Sequence, residues 1–142
     1  MKQQLNNFIA LFAIIIFSLS SCSEQNDLST YAQKYAENML SSQTQGYFKL
    51  SNFNKNDGIS KSNNGVESKE ILFSAVAECI KDGGFINVMR NGEVNWSQIF
   101  NQPGEFMQPV KIGDKYNITG NVILEKHDNG WLATGGKIKT NY

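Results

Sequence analysis

The chain has 142 residues, with 13 Lys and Arg against 13 Asp and Glu, and 40% of its residues are hydrophobic. This length holds one domain with a single core and calls for no second domain. The neutral charge balance gives no electrostatic reason to propose nucleic acid or a strongly anionic surface as a partner.

The first element along the chain is a short apolar segment. After Lys2, residues 8–19 are apolar apart from Ser18. This is the length of the apolar region of a signal peptide, and it is shorter than the roughly 20 residues that a membrane-spanning helix needs. The small residues Ser20 and Ser21 precede Cys22, as they would precede a cleavage site.

The order Leu19-Ser20-Ser21-Cys22 resembles the lipobox of bacterial lipoproteins, in which Leu and two small residues precede Cys. The resemblance implies that residues 1–21 are removed by cleavage between Ser21 and Cys22. It also implies a diacylglyceryl group on the Cys22 thiol and usually a further acyl chain, such as palmitate, on the freed amine. Two or more chains give stable anchoring because each buried CH₂ contributes about 0.8 kcal/mol. The alternatives are an ordinary secretory peptide, with Cys22 incidental, and a retained N-terminal membrane helix.

Residues 22–27 form a short polar tether, of which residues 23–27 span at most about 18 Å when extended. We therefore expect a lipid-anchored domain, residues 28–142, that sits close to the surface of a bacterial cell-envelope membrane. An Asp directly after the lipidated Cys retains some lipoproteins in the inner membrane. Ser23 stands at that position here, which favours the outer membrane. The sequence leaves open whether the protein lies on the periplasmic or the outer face of that membrane.

An amphipathic helix follows the tether. Apolar residues recur at helical spacing over the stretch Leu28, Tyr31, Ala32, Tyr35, Ala36, Met39 and Leu40. Such a stripe is typical of a helix face that packs on a sheet. The two Tyr side chains also allow a ligand groove as the alternative.

The next elements are a strand over residues 47–53 and a polar stretch from Asn54 to Lys69. Asp57-Gly58 and Asn63-Asn64-Gly65 are strong turn signals within that stretch. We expect an exposed hairpin or a mobile loop here. Residues 70–80 fit a buried strand face and a helical stripe equally well, so their local pattern leaves both structures open.

Residues 85–90 are predicted to form a short strand that ends in a turn at Asn91-Gly92, and residues 94–106 are predicted to be irregular. Trp96, Phe100 and Phe106 stand among Asn, Gln and Pro in that segment. Aromatic residues with amide neighbours are typical of contact patches, so these three residues form a candidate binding surface. Alternatively, they close the end of the core under a long loop.

The C-terminal part is predicted to be a hairpin. Residues 116–126 alternate between apolar and polar, Asp128-Asn129-Gly130 is a turn signal, and residues 131–139 complete the second strand. Residues 111–126, together with Gly130-Trp131, resemble small uncharacterised lipoproteins of Bacteroidetes-type bacteria. The resemblance implies that residues 70–80 are a strand. It also implies an α+β fold in which the N-terminal helix packs across a curved antiparallel sheet of about four strands, cystatin-like or NTF2-like in outline.

The residues that carry chemistry are few. If Cys22 carries lipid, Cys79 has no partner for an internal disulfide. We expect it to be a buried, inert thiol, with a reactive or intermolecular role as the alternative. His127 is the only His in the chain, and we expect no metal site because zinc normally needs three or four His, Cys or carboxylate ligands. The sequence contains no catalytic constellation, and we expect no cofactor.

Together these features favour a binding module, not an enzyme, whose partner is an envelope protein or a small ligand. The first alternative is an NTF2-like enzyme or ligand pocket, which requires a deep cavity with convergent polar groups. The second is a structural or immunity-type partner protein. The sequence leaves the oligomeric state open.

Overall fold

The computed structural model describes residues 28–63 and 65–140. The predicted signal peptide, its cleavage site at Ser21 and Cys22, and the tether at residues 22–27 lie outside the described residues. Within the described part, one helix, α1 at residues 28–43, precedes seven strands. The strands are β1 Phe48–Asn63, β2 Val66–Cys79, β3 Phe85–Val88, β4 Val94–Phe100, β5 Met107–Pro109, β6 Lys115–His127 and β7 Gly130–Thr140.

The strands form two antiparallel sheets. One has the order β1-β2-β6-β7 and the other the order β4-β3-β5. The α+β class with one helix on an antiparallel sheet is confirmed for the described residues. The described chain has seven strands where about four were expected, because the segment between β2 and β6 adds a three-stranded sheet to the four-stranded one.

The predicted apolar stripe of α1 faces the core. Leu28, Ala32, Ala36 and Leu40 are buried, whereas Tyr31 is 50% exposed and lies outside the packed face. Tyr35 and Met39 pack over Gly136 of β7, where a Cβ would lie 3.3 Å and 3.4 Å from their side-chain atoms. The helix therefore covers one face of the four-stranded sheet, as an amphipathic helix does.

Thr44 joins α1 to β1. Its buried hydroxyl donates to the carbonyl oxygen of Leu40 at 2.8 Å and accepts from the backbone N–H of Phe48 at 3.3 Å. These two bonds hold the end of α1 beside the start of β1.

Strands β1 and β2 form one long hairpin, with Asn63 opposite Val66. The expectation of an exposed hairpin over residues 54–69 is confirmed, but the Asp57-Gly58 signal does not make a turn. Register shifts lie between Ser51 and Asn54 and between Lys55 and Asp57, so extra residues are absorbed as irregularities within β1. The hairpin closes between Asn63 and Val66, at the second signal.

Strand β2 resolves the ambiguity at residues 70–80 in favour of a strand. Its inward residues Ile71, Phe73, Ala75, Ala77 and Cys79 are all buried, and they alternate with partly exposed residues. The C-terminal hairpin of β6 and β7 is also confirmed, with His127 opposite Gly130.

The prediction that residues 94–106 are irregular was wrong for their first half, because Val94–Phe100 is strand β4. Val94, Trp96 and Ile99 are buried in the common core. The insert that holds this strand leaves and rejoins the large sheet at one point. There the N–H of Cys79 donates to the carbonyl of Asp114, and the N–H of Gly113 donates to the carbonyl of Cys79.

Candidate functional site

The face of the four-stranded sheet opposite α1 carries a groove of about 420 Å³, here called the outer groove. Outward residues of β2, β6 and β7 form most of its lining, and Asn56 of β1 adds to one wall. Its lining residues are Asn56, Glu70, Leu72, Phe73, Thr119, Gly120, Asn121, Lys137 and Lys139.

Glu70 is held in place by its neighbours on both sides. The Asn121 amide Nδ2 donates to one carboxylate oxygen at 2.6 Å, and the Lys61 ammonium lies 3.0 Å from the other. The hydrogen bond from Asn121 and the hydrogen bond and charge of Lys61 lower the pKa of Glu70 below its ordinary value, because each favours the ionised form. The carboxylate is therefore a fixed negative wall of the groove.

Lys137 and Lys139 form the opposite wall. In the register of β6 and β7, Lys137 lies opposite Asn121 and Lys139 lies opposite Thr119. Within residues 28–63 and 65–140, the Glu70 carboxylate is engaged by Lys61, and neither Lys137 nor Lys139 makes an ion pair. Two ammonium groups two residues apart on one strand face can meet an anionic group of a ligand.

The floor and upper wall of the groove are fixed by packing. The Phe73 ring lies under Gly120, where a Cβ would come within 2.5 Å of it. On the β1 side, the Ser74 hydroxyl donates to the Asn56 amide oxygen at 3.1 Å. The groove thus combines amide groups, one engaged carboxylate and two ammonium groups that form no ion pair within residues 28–63 and 65–140.

The candidate binding surface at Trp96, Phe100 and Phe106 does not form as one surface. Trp96 is only 4% exposed and packs edge-on against Phe48 at 5.2 Å and Tyr116 at 5.6 Å. Phe100 is partly buried in β4, whereas Phe106 is exposed. For Trp96 the structure matches the alternative in which the aromatic side chain closes the core.

A second groove, of about 340 Å³, runs between β4 and the free edge of β7. Glu93 and Asn95 lie on one side of it, Lys137 and Lys139 on the other, and Gln43 of α1 at its end. The two lysines therefore stand between both grooves.

The remaining candidate residues are placed as follows. Cys79 is free and 1% exposed, and its thiol donates to the carbonyl oxygen of Lys81 at 3.1 Å. Burial raises its pKa, which disfavours the reactive thiolate. His127 is exposed at the end of β6, 3.8 Å from a carboxylate oxygen of Glu125. The described residues contain no cluster of three or more potential metal ligands.

The outer groove was not found from the sequence. The stretch Gly135-Gly136-Lys137 lacks the residues of a phosphate loop, so it does not by itself indicate a ligand site. The available signal was the strand alternation, which places Lys137 and Lys139 on one face. The alternation does not show that Glu70 pairs with Asn121, because these residues are 51 positions apart.

No protein-family model, curated protein or solved structure matches the chain. Among the described residues, no helix is long and apolar enough to cross a membrane.

Proposed function

We propose that the protein is a lipid-anchored binding module of a bacterial cell envelope and that the outer groove is its binding site. The binding role rests on the different state of the charged groups on the two walls of the outer groove. Glu70 is engaged by Asn121 and Lys61, while Lys137 and Lys139 face the groove without an ion pair in the described chain. The lipobox-like Leu19-Ser20-Ser21-Cys22 supports the anchor, and Ser23 after it favours the outer membrane as the location.

The ligand is an envelope protein or a small molecule that presents an anionic group. Ammonium groups that make no ion pair in the described part of the chain favour a carboxylate or phosphate, because a charge-assisted hydrogen bond is roughly twice as strong as a neutral one. The amide of Asn56 and the hydroxyl of Thr119 add polar contacts along the same groove.

The packing between helix and sheet supports binding over an NTF2-like enzyme pocket. Large side chains fill this space, among them Leu40, Phe48, Phe73 and Ile118, each at most 1% exposed. A pocket of that kind needs room for substrate between these layers. The outer groove lies on the other face.

A cystatin-like outline is the finer description of the fold that we propose. In its support, one helix precedes a meander of four antiparallel strands, and the only long interruption within the described chain comes between β2 and β6. Because one fold hosts many functions, this outline adds nothing to the choice of ligand.

The anchor is tested with Cys22→Ala. The variant is expected to leave the membrane fraction or to stay uncleaved, because Cys22 is the residue that would carry lipid. Cleavage and membrane partitioning that match the wild type in detergent extraction would refute the anchor.

The groove is tested by pull-down from intact envelopes with the lipidated protein. The double variant Lys137→Glu/Lys139→Glu is expected to lose the partners that the wild type recovers. The matched control is Lys34→Glu/Lys111→Glu, which changes the same charge at two exposed positions outside the outer groove. Equal recovery by both double variants would rule out the outer groove as the binding site.

A further inference from the structure

The two long hairpins end on the same side of the molecule. Ser68 lies opposite Glu125, so the turn between β1 and β2 and the turn between β6 and β7 project in one direction. The insert and the start of β1 lie at the opposite end, where Phe48 pairs with Cys79.

The N-terminus of α1 points toward the hairpin ends. The helix finishes beside the start of β1, and its middle residues Tyr35 and Met39 already lie over Gly136. Gly136 is opposite Val122, which is opposite Ile71, well along β2 toward its hairpin turn. Residue 28 therefore lies farther still in that direction.

The lengths of the elements match the reach of the tether. Gly136, which lies under Tyr35 and Met39, is six positions from Gly130 at the hairpin end of β7, or roughly 20 Å at about 3.3 Å per residue. Residue 28 lies about 10–16 Å farther toward that end than Tyr35 and Met39, at about 1.5 Å per helical residue. The hairpin end thus projects roughly 4–10 Å beyond residue 28. The six residues from 22 to 27 reach at most about 20 Å. A lipid chain on Cys22 would hold the hairpin ends at the depth of the membrane surface.

Exposed aliphatic side chains occur where such contact would fall. Ile59, Val66, Ile123 and Leu132 stand on the outward face of the two hairpin ends, here called the tip surface, and Leu132 is 57% exposed. Exposed apolar groups of this size mark interaction sites when they cluster.

Trp131 lies at the same hairpin end as the tip surface but on the opposite face of the sheet, because it precedes Leu132 along β7, and its setting is typical of a membrane interface. The ammonium groups of Lys69 and Lys126 lie 5.1 Å and 5.7 Å from its ring centroid. Glu67 pairs with both lysines, at 4.0 Å and 3.5 Å, and so offsets one of their two positive charges. Trp and Lys together suit the headgroup level, where an apolar ring and a solvated ammonium are both accommodated.

We propose that the tip surface docks on the lipid bilayer, so that the protein stands on its two hairpin ends with the outer groove opening just above the headgroups. This rests on the proposed lipid anchor. The anchor selects this end over the other one, where Ile80 and Ile112 are also exposed.

The test places a nitroxide label on the lipidated protein in vesicles of phosphatidylethanolamine and phosphatidylglycerol. Leu132→Cys is the tip label, and Ile112→Cys, an equally exposed aliphatic position at the opposite end, is the matched control. When vesicles are added, the label at position 132 is expected to become more accessible to oxygen and less accessible to a water-soluble nickel chelate. The label at position 112 is expected to keep the same accessibility to both reagents.

A second measurement needs no label. Brominated lipids are expected to quench part of the tryptophan emission of the wild type, and this quenching is expected to be lost in Trp131→Phe, because the remaining Trp96 is buried. A protein that fails to float with the vesicles would overturn the anchor and the docking together. A protein that floats while both labels stay in water, or while only position 112 enters lipid, would overturn the docking alone.

Discussion

The indole Nε1 of Trp96 donates a hydrogen bond to the side-chain oxygen of Thr140 at 3.1 Å, and this contact joins the two sheets of the protein. The same oxygen accepts from the backbone N–H of Val94, also at 3.1 Å. One hydroxyl at the end of β7 thus satisfies two buried donors of β4.

Replacing Thr140 by Val should therefore destabilise the fold. The change keeps the shape of the side chain but leaves the Trp96 and Val94 donors without their acceptor, and an unsatisfied buried donor costs about 1–3 kcal/mol. Urea unfolding should show a loss of free energy of unfolding of about 2 kcal/mol. Thr140→Ser, which keeps the oxygen, should lose less, and Thr134→Val, at an exposed position of the same strand, should change little. Equal stability of the two Thr→Val variants would contradict this role.

Gly120 should not tolerate a side chain. A Cβ there would overlap the carbonyl oxygen of Lys137 and lie 2.5 Å from the Phe73 ring. Gly120→Ala must push β6 away from β7 or displace the ring, and such overpacking typically costs about 1–3 kcal/mol. Gly135→Ala is the control, because its Cβ would have only an ordinary contact at 3.8 Å with Ile123. Thermal unfolding should separate the two variants, and a Gly120→Ala protein as stable as the control would refute the close packing.

Glu70 should make stability depend on pH on the acidic side. Because Asn121 and Lys61 lower its pKa in the folded state, its contribution is fully present above the ordinary carboxyl pKa. The contribution is lost as the pH falls through the lowered pKa. The stability difference between the wild type and Glu70→Gln should therefore shrink on acidification. If it stays constant down to the lowest pH at which the protein folds, the Glu70 carboxylate is not engaged as described.

The same carboxylate gives a direct measurement by NMR titration. Asn121→Ala removes the hydrogen bond at 2.6 Å, so the pKa of Glu70 should move back up toward its ordinary value. A pKa of Glu70 unchanged by this substitution would show that Asn121 does not hold the group.

The Cys79 thiol should react slowly in the folded protein. It is 1% exposed, and burial raises its pKa, so both access and the thiolate fraction are low. A thiol reagent at mildly alkaline pH should label the native protein much more slowly than the protein unfolded in denaturant. Equal rates in the two states would point to the reactive role that burial disfavours.

The parts of the fold that follow from local periodicity were predictable. The apolar stripe of α1 and the alternation in β6 place their residues on one face without reference to the rest of the chain. At residues 70–80 two periods fit equally well, and only the neighbouring strands β1 and β6 decide between them. Tertiary pairing, which the sequence pattern does not contain, made that choice.

The strand at Val94–Phe100 was missed for a related reason. It alternates poorly because a register shift between Ile86 and Asn87 interrupts its pairing with β3. Asn91 and Pro103 on either side also favoured a loop. Because a loop was expected here, Trp96 was interpreted as part of a surface site. The hydrogen bond that allows its indole to be buried is accepted by Thr140, 44 positions away, and the local sequence does not show it.

The two hydrogen bonds between Cys79 and residues 113–114 close the insert at its base. Because the chain departs from the large sheet and returns to it at the same place, the residues in between can vary in length and composition while the register of β2 with β6 is preserved. Relatives of this protein would be expected to differ most in this segment. The Cys79 junction marks the boundary at which such divergence begins.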